Sequence, residues 1–159
     1  EALPFMESQF DVTMSCTVME EGDADQMLAE FVRVTKPGGR VAVMVRSIDM
    51  PRWVNLPLRA GLKTKVEDPN RLGGNVQEKG CADGSLYRRL RQAGLAQVIM
   101  LPQLAIYAEG ERLEYMKERI VTTLGPEEVD EWREAMARAD AEGTFIIAEP
   151  FHCAVGTKP

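Results

Sequence analysis

The sequence predicts an α/β protein, and three neighbouring segments near its start support that prediction. Apolar and polar residues alternate over Phe10–Ser15, which is the period-two pattern of a strand. Residues 23–34 place their apolar side chains on one face of a helix, and a Pro-Gly-Gly turn over residues 37–39 ends it. Alternating valines over residues 40–46 form a second strand. A strand, a helix and a strand with short connections make a right-handed crossover, so the two strands should be parallel neighbours.

The helix of this crossover has a start signal and a continuous apolar face. Asp23 and Asp25 can accept hydrogen bonds from the free N–H groups of its first turn. Its inner face is predicted to consist of Met27, Leu28, Phe31 and Val34.

Residues 51–82 carry the weakest pattern and are expected to form an insertion or cap loop. A short helix over the end of the sheet is one interpretation, and Gly73-Gly74 suggests a mobile loop. The apolar residues that would form this helix are Trp53, Leu56, Leu58 and Leu62.

The next predicted helix starts at Asp83 or Ser85, either of which can cap it, and stops at Gly94. Its inner side is predicted to contain Leu86, Tyr87, Leu90 and Ala93.

In the last third of the chain, the sequence pattern predicts a strand, two helices and a final extended segment. Residues 98–107 form a strand that Pro102 should interrupt, which favours a sheet edge or a bulge. Residues 109–143 form a helical pair divided at Gly125-Pro126, where proline fits the first helical position. Two extended pieces should then flank Pro150. The inner faces of the helical pair are predicted as Leu113, Met116, Ile120 and Leu124, then Val129, Trp132, Met136 and Ala139.

Composition limits the class of protein. The chain has 159 residues, of which 45% are hydrophobic, so residues 1–159 are expected to form one domain with its own core. A net charge of −6 argues against nucleic acid or an anionic membrane as the main partner. The sequence contains no run of ~18 apolar residues, so no membrane span is predicted. Cys16, Cys81 and Cys153 are unevenly spaced without a Cys-x-x-Cys pair, which favours reduced thiols, a cytoplasmic location and no metal site.

Three sequence pieces in a fixed order resemble a known enzyme family. These are Leu3-Pro4-Phe5, then Phe10-Asp11-Val12, then residues 28–41, which end in Lys-Pro-Gly-Gly-Arg-Val. They resemble the second half of class I S-adenosylmethionine-dependent methyltransferases, in particular the small-molecule group called type 11. Residues 151–158 are similar to that family's last strand. The resemblance implies a partial Rossmann-like methyltransferase sheet, mostly parallel, whose last strand inserts antiparallel between the two preceding strands.

The resemblance also implies chemistry and site residues. The cofactor would be S-adenosylmethionine and the substrate a small molecule, whose identity the sequence leaves open; no catalytic residue can be named. In the family the Leu-Pro-Phe loop passes beside adenine, so Leu3 would contact the cofactor, although a core anchor is an equal alternative. Ser15, Cys16 and Thr17 follow a parallel strand and would line the crevice at its carboxyl end.

Four further polar residues have two interpretations each. Glu20 and Glu21 could supply a base, but a solvated lead-in to the helix is favoured. Asp49 could lie at the mouth of the site or cap a turn. His152, in a strand expected to lie far from the crevice, is predicted to be structural.

The chain also departs from the family pattern. It contains no Gly-x-Gly-x-Gly motif, so we expect the C-terminal part of a methyltransferase that does not bind the cofactor by itself. The alternative is a non-catalytic, methyltransferase-like module for dimerisation or partner binding. Without preceding strands, the outer edge of Phe10–Ser15 would be unpaired, which predicts a homodimer through that edge.

Overall fold

A computed structural model describes residues 2–69 and 76–159. Two compact units divide these residues, and each is described separately. The first unit contains residues 2–47, 76–103 and 151–159, and the second contains residues 48–69 and 104–150. The prediction of one domain over residues 1–159 stays a prediction, and the predicted mobile loop at Gly73-Gly74 lies outside the described residues. Within the described ranges, no helix is both long and apolar enough to cross a bilayer.

The first unit begins with the predicted crossover. Strand β1 (Phe10–Cys16), helix α1 (Ala24–Val34) and strand β2 (Thr35–Arg46) follow one another, and β1 pairs parallel to β2. Asp23 caps α1, because its Oδ1 accepts a hydrogen bond from the Gln26 N–H at 3.1 Å. The predicted pair of parallel neighbours is therefore confirmed.

The Pro-Gly-Gly turn differs from the prediction, because it lies inside the ladder of β2. Phe10 pairs with Thr35 and Val12 with Arg40, so β2 advances five residues while β1 advances two. Helix α1 thus leads directly into a strand that starts at Thr35, and the turn forms a bulge within it. A Cβ at Gly39 would lie 2.7 Å from the Asp11 carbonyl oxygen, so only glycine fits this close approach without a shift.

Two further strands complete the sheet of the first unit. Strand β5 (Ile147–Thr157) runs antiparallel to β2, with Val43 opposite Ala154, and it also pairs with β4 (Ala96–Tyr107). The order in this unit is β1-β2-β5-β4, which confirms the predicted insertion of the last strand between its two predecessors. The predicted break at Pro102 is wrong, since β4 continues through it, but the predicted edge position is confirmed. Among the described strands β4 pairs with β5 alone, and an edge tolerates proline because its outer N–H has no ladder partner.

One face of this sheet carries the core of the first unit. Helices α1 and α3 (Ser85–Gln92) cover it, and Leu28, Leu86 and Leu90 are at most 1% exposed there. Tyr87 was predicted to face inward but is 45% exposed, because it follows Leu86 by about 100° around the helix. The other residues of this core are Met19, Ala24, Val41, Val43, Val45, Cys81, Leu95 and Ala154.

The second unit is mainly helical. Strand β3 (Trp53–Val54) pairs antiparallel with the first residues of β5, and helices α2 (Ala60–Glu67), α4 (Glu111–Val121) and α5 (Pro126–Ala141) bury its core. The short helix predicted from Trp53 is wrong in position, because residues 53–54 are extended and the helix begins at Ala60. The predicted core is largely found, with Leu113, Met116, Ile120, Trp132 and Ala139 buried and Met136 packed against them.

Two boundary predictions in the second unit have different outcomes. Pro126 is the first residue of α5, as predicted. The two extended pieces around Pro150 instead form one strand, since β5 passes through this proline without interruption.

Candidate functional site at the ends of the parallel strands

The candidate site lies where β1 and β2 end, in the first unit. Cys16 pairs with Met44, and the chain then leaves the sheet at Thr17. Thr17 has φ +54°, an uncommon value for a residue other than glycine. The Thr17 N–H donates to the Met44 carbonyl at 2.8 Å, and its hydroxyl donates to the Cys16 carbonyl at 2.8 Å. This local turn directs the following residues across the end of β2.

Ser15 and Cys16 have opposite environments, because successive residues of a strand face opposite sides of the sheet. Ser15 pairs with Val43 on the helix-covered face and is 5% exposed. Its Oγ is buried and has no hydrogen-bond partner. Cys16 is exposed on the other face and is a free thiol. Ser15 thus offers an unsatisfied hydroxyl, while Cys16 offers an accessible side chain.

Glu20 is the most buried acidic group at this end of the sheet. It is 2% exposed, and its Oε1 accepts from the Arg46 backbone N–H at 2.7 Å. Its Oε2 accepts from the Arg46 guanidinium in an ion pair. The predicted solvated lead-in is therefore wrong for Glu20, whereas Glu21 is exposed. Since both oxygens of Glu20 already accept hydrogen bonds, it is not poised as a base.

A returning segment holds this loop in place. The Gln77 N–H donates to the Glu20 carbonyl and the Cys81 N–H to the Met19 carbonyl, each at 2.9 Å. A Cβ at Gly80 would lie 2.6 Å from the Glu20 carbonyl oxygen, so the two backbones approach closely. Gly80 and Glu20 are far apart in the chain, so no local pattern indicates that their backbones meet.

Leu3 lies at the opposite end of β1 from the other predicted site residues. Its N–H donates to Glu30 Oε2 at 2.9 Å, and its carbonyl accepts from Arg33 Nη2 at 3.2 Å. Glu30 and Arg33 belong to the second half of α1, next to the residues that lead into β1. Strand β1 has seven residues, which at ~3.3 Å per residue separates its ends by roughly 20 Å. The structure brings Ser15, Cys16 and Thr17 together, and not Leu3 with them.

His152 lies close to the end of β2, contrary to the prediction that it lies far from the crevice. It pairs with Val45, the residue before Arg46, and is 5% exposed. The predicted antiparallel insertion of the last strand already brings the first residues of that strand beside the end of β2, so the predicted distance of His152 from the crevice is wrong. Asp49 lies in the second unit and is exposed.

A family comparison can be set against this geometry. Residues 1–43, which include β1, α1 and the start of β2, match the family described as a methyltransferase domain. The predicted family resemblance is confirmed. This match ends inside β2, before the Arg46 ion pair and before the whole second unit.

Solved methyltransferase structures show a distant similarity along the chain. The YcgJ protein of Bacillus subtilis is 15% identical, with 99% of this chain and 67% of that chain covered and a TM-score of 0.48. An S-adenosylmethionine-dependent methyltransferase of Thermotoga maritima is 14% identical, with 99% and 60% covered and a TM-score of 0.49. Phosphoethanolamine N-methyltransferase 2 of Haemonchus contortus is 13% identical, with 98% and 34% covered and a TM-score of 0.44. This chain thus spans between one third and two thirds of these proteins, at identities too low to bear on activity.

The residues at the ends of β1 and β2 meet only part of what an adenosyl cofactor requires. A free carboxylate can accept hydrogen bonds from ribose hydroxyls, but the buried carboxylate here, Glu20, is held by Arg46. Ser15 Oγ is an unsatisfied hydroxyl but is enclosed on the helix-covered face. Neither Glu20 nor Ser15 therefore offers an accessible, free polar group to such a cofactor.

Proposed function

We propose that this chain is part of an S-adenosylmethionine-dependent methyltransferase that acts on a small molecule. The observation that supports this proposal is the methyltransferase-domain match over residues 1–43, on the segment that forms β1, α1 and the start of β2. S-adenosylmethionine is the cofactor that this resemblance implies, and it supplies the reactive methyl group when bound. The protein's task is then to hold donor and acceptor in line and to exclude water.

Within this proposal, the chain contributes the region that follows the glycine-rich cofactor loop. The absence of Gly-x-Gly-x-Gly from the sequence and the engagement of Glu20 by Arg46 both support this division of labour. Ser15, Cys16 and Thr17 would border the cofactor, and Leu3 would reach it only if the loop before β1 adopted another position.

Calorimetry with S-adenosylmethionine tests this function in two arms. This chain alone should show no binding at micromolar concentrations, because its sequence contains no Gly-x-Gly-x-Gly loop and its buried carboxylate, Glu20, is held by Arg46. The full product of the genomic reading frame that contains this chain should bind with micromolar affinity and release S-adenosylhomocysteine when an acceptor is present. Absence of binding by that full product would contradict the proposed methyltransferase activity. Micromolar binding by this chain alone would contradict the proposal that cofactor binding requires a glycine-rich loop outside this chain.

A second candidate function is a non-catalytic module that self-associates, and one observation favours it. The sheet face opposite α1 and α3 is apolar and exposed, with Val12 60%, Met14 74%, Ile99 50% and Leu101 55% exposed. Met14, Ile99 and Leu101 line a depression of about 240 Å³ whose surface consists almost entirely of apolar atoms. Exposed apolar surface of this kind is typical of an interface.

We infer that a second copy pairs with the outer edge of β1, the edge strand whose Val12 and Met14 form part of this apolar face. In a two-fold antiparallel pair centred on Thr13, Val12 lies opposite Met14 of the second copy and Asp11 lies opposite Ser15. Apolar residues then meet apolar residues on the exposed face, and the one charged side chain of β1 does not meet its own copy. The strand is thus self-complementary in this register.

Sedimentation tests the dimer with a matched pair of variants. Met14→Lys places a charge on the exposed face of β1 and should convert the dimer to a monomer at micromolar concentration. Met6→Lys alters a side chain that is equally exposed, 75% against 74%, but lies before β1, and it should leave the dimer intact. A monomeric wild-type chain, or equal effects of both variants, would contradict the dimer.

A further inference from the structure

The exposed sheet face of the first unit forms a trough between the two outer strands of that unit. On the central strands β2 and β5, the depression described above is lined by the small side chains of Ala42 and Cys153. The outer strands contribute longer side chains, Met14 from β1 and Ile99 and Leu101 from β4. An apolar group placed between these walls would remove their carbon and sulfur atoms from water, which is favourable.

One end of this trough is polar. Alternate side chains of a strand share a face, so Arg40 lies on the same face as Ala42, about 7 Å before it along β2. Arg40 is exposed and is paired across the sheet with Thr157 of β5. The Thr157 hydroxyl donates to Gln97 Oε1 of β4 at 3.5 Å, so three polar side chains cross this end of the face. The trough therefore changes from apolar to polar along the strands.

The guanidinium of Arg40 is available to a ligand. Arg40 takes part in no ion pair among the residues that the structure describes, and the one carboxylate of β1, Asp11, is bound to Lys36 at 2.9 Å. Arg40 stands beside the depression rather than in its lining, and because it is exposed an anion can reach it from solvent. A guanidinium donates charge-assisted hydrogen bonds to both oxygens of a carboxylate.

The charge at this end of the trough favours a carboxylate over a phosphate. A phosphate monoester carries close to two negative charges at pH 7, whereas a carboxylate carries one. A single guanidinium balances one of these charges, and the net charge of −6 on the chain disfavours a second. A molecule with an apolar chain and a terminal carboxylate thus matches both parts of the trough.

We propose that this face binds an amphiphilic carboxylic acid, with its alkyl chain in the depression and its carboxylate against Arg40. The distance along β2 from Arg40 to Met44, which also lines the depression, is roughly 13 Å and suits an alkyl chain of medium length. The proposal goes beyond methyl transfer and does not depend on it. It is compatible with the dimer, because a second copy at the edge of β1 extends the sheet in its own plane and leaves this face open.

Calorimetry on the unaltered chain tests the site with octanoate, below its micellar concentration, and with hexanoate and 1-octanol. Octanoate should bind one molecule per chain. Hexanoate should bind about 15-fold more weakly, because each methylene group removed from water changes Kd by about fourfold, the equivalent of about 0.8 kcal/mol. The uncharged 1-octanol should bind about fivefold more weakly than octanoate, the equivalent of about 1 kcal/mol for an exposed ion pair. Absence of octanoate binding, or an affinity that does not change with chain length, would overturn the proposal.

Two variants and a matched control make the result specific. Arg40→Gln removes the cation, so it should weaken octanoate binding by about fivefold and leave 1-octanol binding unchanged. Ala42→Leu places a larger side chain in the depression and should abolish binding of both molecules, with an unaltered circular dichroism spectrum showing that the chain is folded. Arg91→Gln removes an exposed arginine of α3, which covers the opposite face of the sheet, and should change neither affinity.

Three results with these variants would contradict the proposal. They are octanoate affinity that is unchanged in Arg40→Gln, octanoate binding that persists in folded Ala42→Leu, and an equal loss of affinity in Arg40→Gln and Arg91→Gln. Each of these measurements is made without S-adenosylmethionine, so failure of the proposed methyl transfer would not alter them.

Discussion

Removal of the Glu20 carboxylate should destabilise the first unit strongly, although the sequence suggested an exposed residue. Glu20→Ala deletes the acceptor of the Arg46 N–H and of the Arg46 guanidinium, and it leaves that cation partly enclosed, with 27% of its side chain exposed. Breaking a buried ion pair by removing one partner costs about 3–5 kcal/mol, and partial exposure of Arg46 reduces this to about 2–4 kcal/mol. Glu20→Gln keeps an acceptor and should lose about 1–2 kcal/mol.

Urea unfolding followed by far-ultraviolet circular dichroism measures this loss. Circular dichroism follows the helices and strands of both units, whereas both tryptophans, Trp53 and Trp132, lie in the second unit. With an m value of about 2 kcal/mol/M, Glu20→Ala should lower the midpoint by roughly 1–2 M. Glu21→Gln is the matched control, since this neighbour is exposed, and it should stay within about 0.5 kcal/mol of the unaltered chain.

A double-mutant cycle with Arg46→Met separates the ion pair from other losses. The coupling energy between the two positions should be about 1–3 kcal/mol, because the side chains are in direct contact. A Glu20→Ala loss below about 1 kcal/mol, or one equal to that of Glu21→Gln, would refute the reasoning.

Three other predictions concern single positions of the first unit. Gly39→Ala should lower the free energy of unfolding by about 1–3 kcal/mol in urea titration, because its Cβ would overlap the Asp11 carbonyl; an unchanged midpoint would contradict this. Ser15→Ala should be neutral or stabilising by up to about 1 kcal/mol, since its hydroxyl is buried without a partner, and a loss beyond about 1 kcal/mol would reveal one. Hydrogen bonding to Arg33 lowers the pKa of Glu30 to about 2. The contribution of Glu30 to the free energy of unfolding is therefore present above about pH 4.5 and is lost as pH falls towards 2. Glu30→Gln should flatten the acid dependence of Tm in that range, and an unaltered pH profile would argue against the pair.

The arrangement of the first unit was largely predictable because its signals are local. The alternation in β1 and β2, the Asp23 cap and the apolar stripe of α1 all act within a few residues of each other. Short connections between β1, α1 and β2 then leave the right-handed crossover as the favoured arrangement. The order of the last strand came from the family resemblance, and the pairing of β5 with β2 and β4 confirms it.

Predictions at prolines and at turns were less accurate, for a physical reason. The sequence predicts breaks at Pro102 and Pro150, yet both prolines lie inside strands, and only the predicted edge position of Pro102 is confirmed. A proline removes one N–H donor, and whether that N–H would have faced a partner depends on the neighbouring strand, which the local sequence does not reveal. The Pro-Gly-Gly turn was likewise placed before β2, while the register places it inside.

The amino-acid sequence by itself determined the α/β class, the parallel pair at the start of the chain and the family to which its first 43 residues are similar, because periodicity, caps and short connections act locally. Only the tertiary structure decided that Glu20 is held by Arg46, that His152 returns to the end of β2 and that Arg52 is buried with unsatisfied donors. Each of these depends on burial by elements far away in the chain. Burial raises the free energy of an unpaired charged group, and no local sequence pattern indicates which residues become buried.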